Sequence, residues 1–275
     1  MPIDLTIPHS VILADPSGVR MVAKSDDFPE QWEPDAVRLV ERFGPRPDGV
    51  AVPASLAVLP FITRHMAVVQ FADHAGGLAF RLLVLNHRLY DAISDPFAVS
   101  DAFSPNWSAR GSLPPLSWTP NPPPARTVTE VADILHHDGP LLLGATQALV
   151  DGGRVLIQRS EPDETLVRRL WKLLPLSVRN RLAFATFAFG SDPRFRLSVS
   201  SNPPTPLPFG TLGEENCRDV PQGYYELALQ TAAESDDQAM VDRLFARRSS
   251  GETLRLAVLL AGLMLLALLA SKFLG

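Results

Sequence analysis

DGPLLLGATQALVDGGRVLIQRSEPDETLVRRLWKLLPLSVRNRLAFATFAFGSDPRFRLSVS, residues 138–200, carries in one stretch the two periodicities that decide the fold class. Asp138 can cap a helix whose LLLGATQALV run is apolar on nearly every side, which predicts a central, buried helix ended by Gly152 and Gly153. Residues 154–159 then read as a short strand around Val155, Leu156 and Ile157. Ser160, Pro162, Asp163 and Glu164 supply a cap and an acidic first turn for another helix, with Leu166, Leu170, Trp171 and Leu174 inward and Pro175 as its stop. Residues 182–189 form an apolar, strand-like run. Residues 194–200 alternate, Phe195, Leu197 and Val199 on one face and Arg194, Arg196, Ser198 and Ser200 on the other. The turn residues 190–193 between these runs predict an antiparallel hairpin with one wet face. Helices and strands mix without regular alternation, so the class is α+β.

Working outward, Thr127 and Glu130 make a capping-box pattern ahead of Val131, Ile134 and Leu135, and Ser235 with Gln238 makes a second ahead of Met240, Val241, Leu244 and Phe245. Toward the N-terminus, residues 35–43 read as a short amphipathic helix stopped by Gly44. Residues 66–71 and 78–85 are β-type runs joined across His74-Ala75-Gly76-Gly77 as a hairpin, and residues 89–93 and 96–103 read as short helices. PPLSWTPNPPPAR, residues 114–126, excludes helix and reads as an extended linker, with a polyproline ligand as the alternative. The expected organisation is an N-terminal α+β lobe over residues 1–113, this linker, a second α+β lobe over 127–251, and a transmembrane anchor over 252–275. A second break, PPTPLP, occupies residues 203–208.

The anchor rests on LAVLLAGLMLLALLA, residues 256–270, which has no polar face for a surface helix to present. Its strictly apolar part is roughly 15 residues, about 22 Å, so a span of the ~30 Å hydrocarbon core needs Arg255 and Lys272 to snorkel to opposite interfaces. Arg243, Arg247, Arg248 and Arg255 precede the span and only Lys272 follows it, which predicts a single-pass protein with its soluble region on the cytoplasmic side. Asp4 and Pro8 interrupt the N-terminal segment where an export signal has a basic and then an apolar region, so no cleaved signal is expected, and the sequon Asn106-Trp107-Ser108 is read as chance.

The chain has 275 residues, 46% hydrophobic and 20% charged, enough to bury a sizeable core, and its net charge of -5 gives no reason to expect nucleic acid. Cys217 is the one cysteine, which excludes an intrachain disulfide and a Cys-based zinc site, and Glu214 and Glu215 beside it push a thiol pKa the wrong way for a nucleophile. No phosphate-loop glycine pattern and no GxSxG elbow occurs. No catalytic residue, metal ligand or cofactor is therefore assigned. His136 and His137, adjacent on a helix, diverge. His65, His74 and His87 are the first suspects for an alternative reading, an enzyme or metal-binding protein with its site in the N-terminal lobe, if the hairpin brings them together. Arg179, Arg181, Arg194 and Arg196 are the candidate partner-binding residues, since clustered guanidiniums bind carboxylates or phosphates in a bidentate manner.

LWKLLPLSVRNRLAFATFAFG, with the preceding GATQALVDGGRVLIQRSEPDETLVRRL, resembles the middle domain of the bacterial GTPase-associated proteins of NTP-dependent conflict systems. There a strand and helix lead to a leucine-proline stop, an arginine and a Leu-Ser-Phe-Ser-Thr-like strand, matched here by Leu174, Pro175, Arg179, Leu182, Phe184 and Thr186. Ala183 and Ala185 stand where that family has serine. FRLLVLNHRLYDAISDPFAVSDAFSPNW is similar to its N-terminal domain. The resemblance implies an adaptor or scaffold beside an NTPase. The expectation is a membrane-tethered cytoplasmic interaction protein with a protein partner.

Overall fold

The computed structural model describes residues 5–44, 46, 48–93, 95–118, 125–189, 195–219 and 223–246. β1 (Leu5–Ile7) and β2 (His9–Asp15) flank Pro8, and β2 turns at Pro16 and Ser17 into β3 (Gly18–Ser25). Asp15 closes that turn, accepting from the Ser17 amide at 2.9 Å and pairing with Arg20 at 2.7 Å, while Gly18 takes the φ of 120° that a side chain would resist. α1 (Glu33–Glu41) buries Ala36, Leu39 and Val40. β4 (Ser55–Pro60) precedes the hairpin of β5 (His65–His74) and β6 (Gly77–Asn86), which pairs from His65↔Asn86 to His74↔Gly77.

α2 (His87–Ile93) and α3 (Pro96–Ala102) follow, the second capped by Asp95, whose carboxylate accepts from the amides of Phe97 and Ala98. β7 (Gly111–Leu113) and β8 (Leu116–Trp118) come next, and β8 pairs antiparallel with β1. Part of the proline-rich stretch read as a linker is therefore a paired strand. Residues 119–124 lie outside the described set.

α4 (Val128–Val150) opens on Thr127, whose hydroxyl accepts from the Glu130 amide. It is two helical segments meeting at Asp138, which has φ −168° and ψ 62° and stands just ahead of Pro140. β9 (Arg154–Gln158), α5 (Glu164–Leu173) and the short α6 (Leu176–Arg179) lead to β10 (Phe184–Ala188), β11 (Leu197–Ser200) and β12 (Thr211–Leu212). α7 (Glu214–Arg218), α8 (Tyr224–Glu234) and α9 (Gln238–Phe245) complete the described chain. The cap of α9 is Asp237, not Ser235. Ser235 instead closes α8, its hydroxyl donating to the Thr231 carbonyl, because the chain turns at Asp236 with φ 54°.

A ten-stranded sheet runs β12-β9-β11-β10-β4-β5-β6-β2-β3-β7 among the described residues. β4, β5, β6, β2 and β3 are antiparallel, whereas β12, β9, β11 and β10 are mutually parallel, and the antiparallel pair β10–β4 joins the two parts. The fold is thus α+β with a mixed sheet. Strands from before and after the proline-rich stretch share it.

The expected antiparallel hairpin after residue 182 is corrected: β10 and β11 run parallel, with Phe184 opposite Leu197. Eight intervening residues reach about 26 Å extended, enough to return along a five-residue strand of about 17 Å and re-enter in the same direction. Ser198 and Ser200 are buried along with Leu197 and Val199, so β11 itself presents no wet face.

Both faces of the sheet are covered. Phe184 lies opposite Val58, which lies opposite Val68, so these share one face, and Phe71, three residues on, lies on the other. On the first face Phe97 and Trp171 pack against Phe184 with ring centroids 5.3 Å and 5.1 Å away. On the second, Phe43 contacts Phe71, Phe80 and Phe195 at 5.3, 5.3 and 5.9 Å. Gln70 and Arg81, a buried cross-strand pair, close the C-terminal end of α3 by donating to carbonyls of Ser100, Phe103 and Ser104. No helix among the described residues is long and apolar enough to cross a membrane, and the apolar run 256–270 lies outside them.

Candidate functional site

A concavity lies where the break in α4 meets α7 and α8. Gly144 lets the two helices touch: a Cβ there would stand 1.8 Å from the Cys217 carbonyl oxygen. Arg218 of α7 grips the carboxylate of Asp138 at 2.8 and 2.7 Å in a fork geometry, fixing the break. Gln147 of α4 stands in for a missing cap of α8, accepting from the Glu226 amide at 3.0 Å while its own amide donates to Asp151 at 2.8 Å.

These contacts frame a groove of about 590 Å³. Ala132, Leu135, Leu143 and Ala233 give it apolar walls, and His136, Glu226, Gln230 and Glu234 give it polar ones. The Glu226 side chain is buried, its Oε2 has no hydrogen-bond partner, and burial raises its carboxyl above the usual range. Arg218 is already committed to Asp138 and Glu214, so acidic groups outweigh basic ones at the mouth. The site can hold a segment with an apolar body and a basic end.

The arginines singled out from the sequence are dispersed. Arg196 is half-buried and donates to the carbonyls of Leu149 and Gly153, satisfying the C-terminal end of α4. Arg179 is buried, Arg181 is exposed, and Arg194 lies outside the described residues, as do the flanking Arg247, Arg248, Arg255 and Lys272. Of the expected Arg194–Arg196 face only Arg196 is described, and carbonyls take up its guanidinium; of the Arg179–Arg181 pair only Arg181 is exposed.

The histidines separate too. His65 and His87 stand at one end of the β5–β6 hairpin and His74 at the other, nine residues or about 30 Å along the strand. His65 rests edge-on against Trp32 at 5.0 Å. His137 turns back to the Asp133 carbonyl, while His136 stays at the groove. Among the described residues no three His, Cys, Asp or Glu side chains gather as a metal site. Burial, and then Glu214, push the Cys217 thiol up to about 11.

Sequence reasoning missed Glu226, Arg218 and Arg126. Arg126 stands just before the cap of α4, with its guanidinium over the Phe245 ring at 4.6 Å and one N–H on the Leu174 carbonyl at 3.2 Å. A cation immediately ahead of a helix start is disfavoured by the helix dipole, and that was the available signal. Compared with known proteins, the chain matches no family model and no curated protein.

Proposed function

We propose that this chain is an interaction module tethered to a membrane. Residues 256–270 cross the bilayer, the described residues stand on the cytoplasmic side, and the groove between α4 and α8 receives a segment of a protein partner. The observation that carries the reading is the groove itself, whose size falls in the range of ligand sites and whose apolar walls end in acidic groups. A partner segment with apolar side chains flanked by Lys or Arg matches it. An NTPase is the partner that the family resemblance suggests. Tethering raises the effective concentration of such a module for partners on the same membrane without any new contact.

A photo-crosslinker in place of Gln230, in full-length protein in native membranes, should give one discrete adduct that disappears with Leu135→Glu. Persistence of that adduct in the variant would remove the groove from the reading. Recovery of the full-length protein in the supernatant after carbonate extraction would remove the tether.

A further inference from the structure

Arg179 is 8% exposed, yet no carboxylate among the described residues pairs with it, and its Nε has no hydrogen-bond partner. Burying an unpaired guanidinium is costly, and folded proteins ordinarily avoid it by pairing. The surroundings deepen the anomaly. The hydroxyl of Tyr90, 1% exposed, is also unpartnered and lies within electrostatic reach of Arg179.

Arg126 is a second cation close enough to repel Arg179, with a single hydrogen bond, to the Leu174 carbonyl. The Tyr225 hydroxyl, in range of both arginines, donates to the adjacent Leu173 carbonyl. Four elements thus converge on the α5–α6 junction: α2 through Tyr90, the start of α4 through Arg126, α6 through Arg179 and α8 through Tyr225.

Two carboxylates lie within electrostatic reach, Asp95 of both arginines and Glu130 of Arg126, and neither makes an ion pair or hydrogen bond with either guanidinium. Asp95 holds the amides of Phe97 and Ala98, and Glu130 pairs with Lys172 at 2.7 Å. What is left over is donor capacity and positive charge. Guanidinium forks match the oxygens of phosphate and carboxylate alike, but two cations in mutual range favour a dianion over a single carboxylate.

We propose that Arg179 and Arg126, with the Tyr90 hydroxyl, form a buried receptor for a compact phosphate-type dianion. The group is either a small soluble phosphate or the phosphomonoester head of a lipid. Its oxygens accept from the Arg179 Nε and the free N–H groups of Arg126, and its charge removes the repulsion between the two guanidiniums. This assignment does not depend on the groove or on the tether.

The test uses full-length protein in nanodiscs of uncharged lipid. Equilibrium dialysis with labelled inorganic phosphate, and thermal melts with phosphate and pyrophosphate against chloride at matched ionic strength, should show one saturable site and an upward shift in melting temperature. Arg179→Gln and Arg126→Gln should each weaken phosphate binding at least tenfold, and Arg181→Gln, at the exposed neighbour, should leave it unchanged.

In a second arm, nanodiscs containing phosphatidic acid replace soluble phosphate. A shift in that arm alone, lost in Arg179→Gln, names the lipid head as the source. Should the Gln variants not fold, dialysis on the wild-type protein and on Arg179→Lys still decides. Absence of stoichiometric binding in both arms, or equal binding by the Arg179 variants, overturns the proposal and leaves Arg179 a hydrated structural residue.

Discussion

Thr186 does a job that no strand pattern announces. Its hydroxyl accepts from the Leu56 amide at 2.8 Å in the buried interior where β10 meets β4. Thr186→Val keeps the shape and deletes the acceptor, so it should cost about 1–3 kcal/mol, the price of a buried amide left unsatisfied, read from urea unfolding midpoints. Trp171 is 2% exposed against Phe97 and Phe184, as its helical spacing predicts. Trp171→Ala should remove about 3–5 kcal/mol, and wild-type-like melting would show that the cavity closes by itself.

His9 makes a pH prediction. Burial holds its imidazole below the ordinary value of 6.5; Arg81 adds to that effect, and Asp27 and a hydrogen bond to the Pro114 carbonyl oppose it. The unfolded chain therefore takes up a proton before the folded one does. The stability that neutral His9 contributes is complete above about pH 6.5 and is lost as pH falls below it. Melting temperature should drop between pH 7.5 and 5.5, and the drop should shrink in His9→Gln; an equal drop would place the titrating group elsewhere.

Among elements, what could be read in advance had its own boundary chemistry. The β5–β6 hairpin was legible from the Gly76-Gly77 turn, α5 from Asp163 and Pro175, and the start of α4 from Thr127. β4 was not, because SLAVLP is a short apolar run with no alternation, and of its two neighbours only β5 is close in sequence while β10 comes from the far side of the proline-rich stretch. β2, with its unbroken run from Val11 to Ala14, was passed over for the same reason, and β3 was passed over although Arg20 and Lys24 alternate with Val19, Met21 and Ala23. The direction of β11 was misread because a short connection resembles a hairpin until the register is known. Of the site, the helical walls were legible and their meeting was not, since nothing local to Arg218 indicates Asp138, 80 residues away.

That meeting is itself testable. With a backbone oxygen 1.8 Å from where its Cβ would be, Gly144→Ala must separate α4 from α7. It should destabilise by about 3 kcal/mol, toward the upper end of overpacking costs, and weaken partner capture at the groove. A crystal structure of the variant with α7 unmoved would contradict this.

At the scale of the whole molecule, Gln238 and Phe245 clamp α9 to the start of α4, so the described residues end on a docked helix. Removing the residues after Gly251 should therefore give a soluble, monodisperse protein melting within a few degrees of the full-length one. Aggregation or a large loss of melting temperature would mean that residues 252–275 pack into the core.

The seam between the antiparallel and parallel parts of the sheet has a consequence for biosynthesis. β4 finds one neighbour in β5 almost as soon as it is made, but its other edge waits for β10, and the Leu56–Thr186 contact bridges 130 residues of chain. At about 5–20 residues per second, a ribosome takes roughly 7–26 s to supply that missing strand. For those seconds the nascent chain displays an apolar, unpaired edge beside the ribosome, a natural client surface for a holding chaperone.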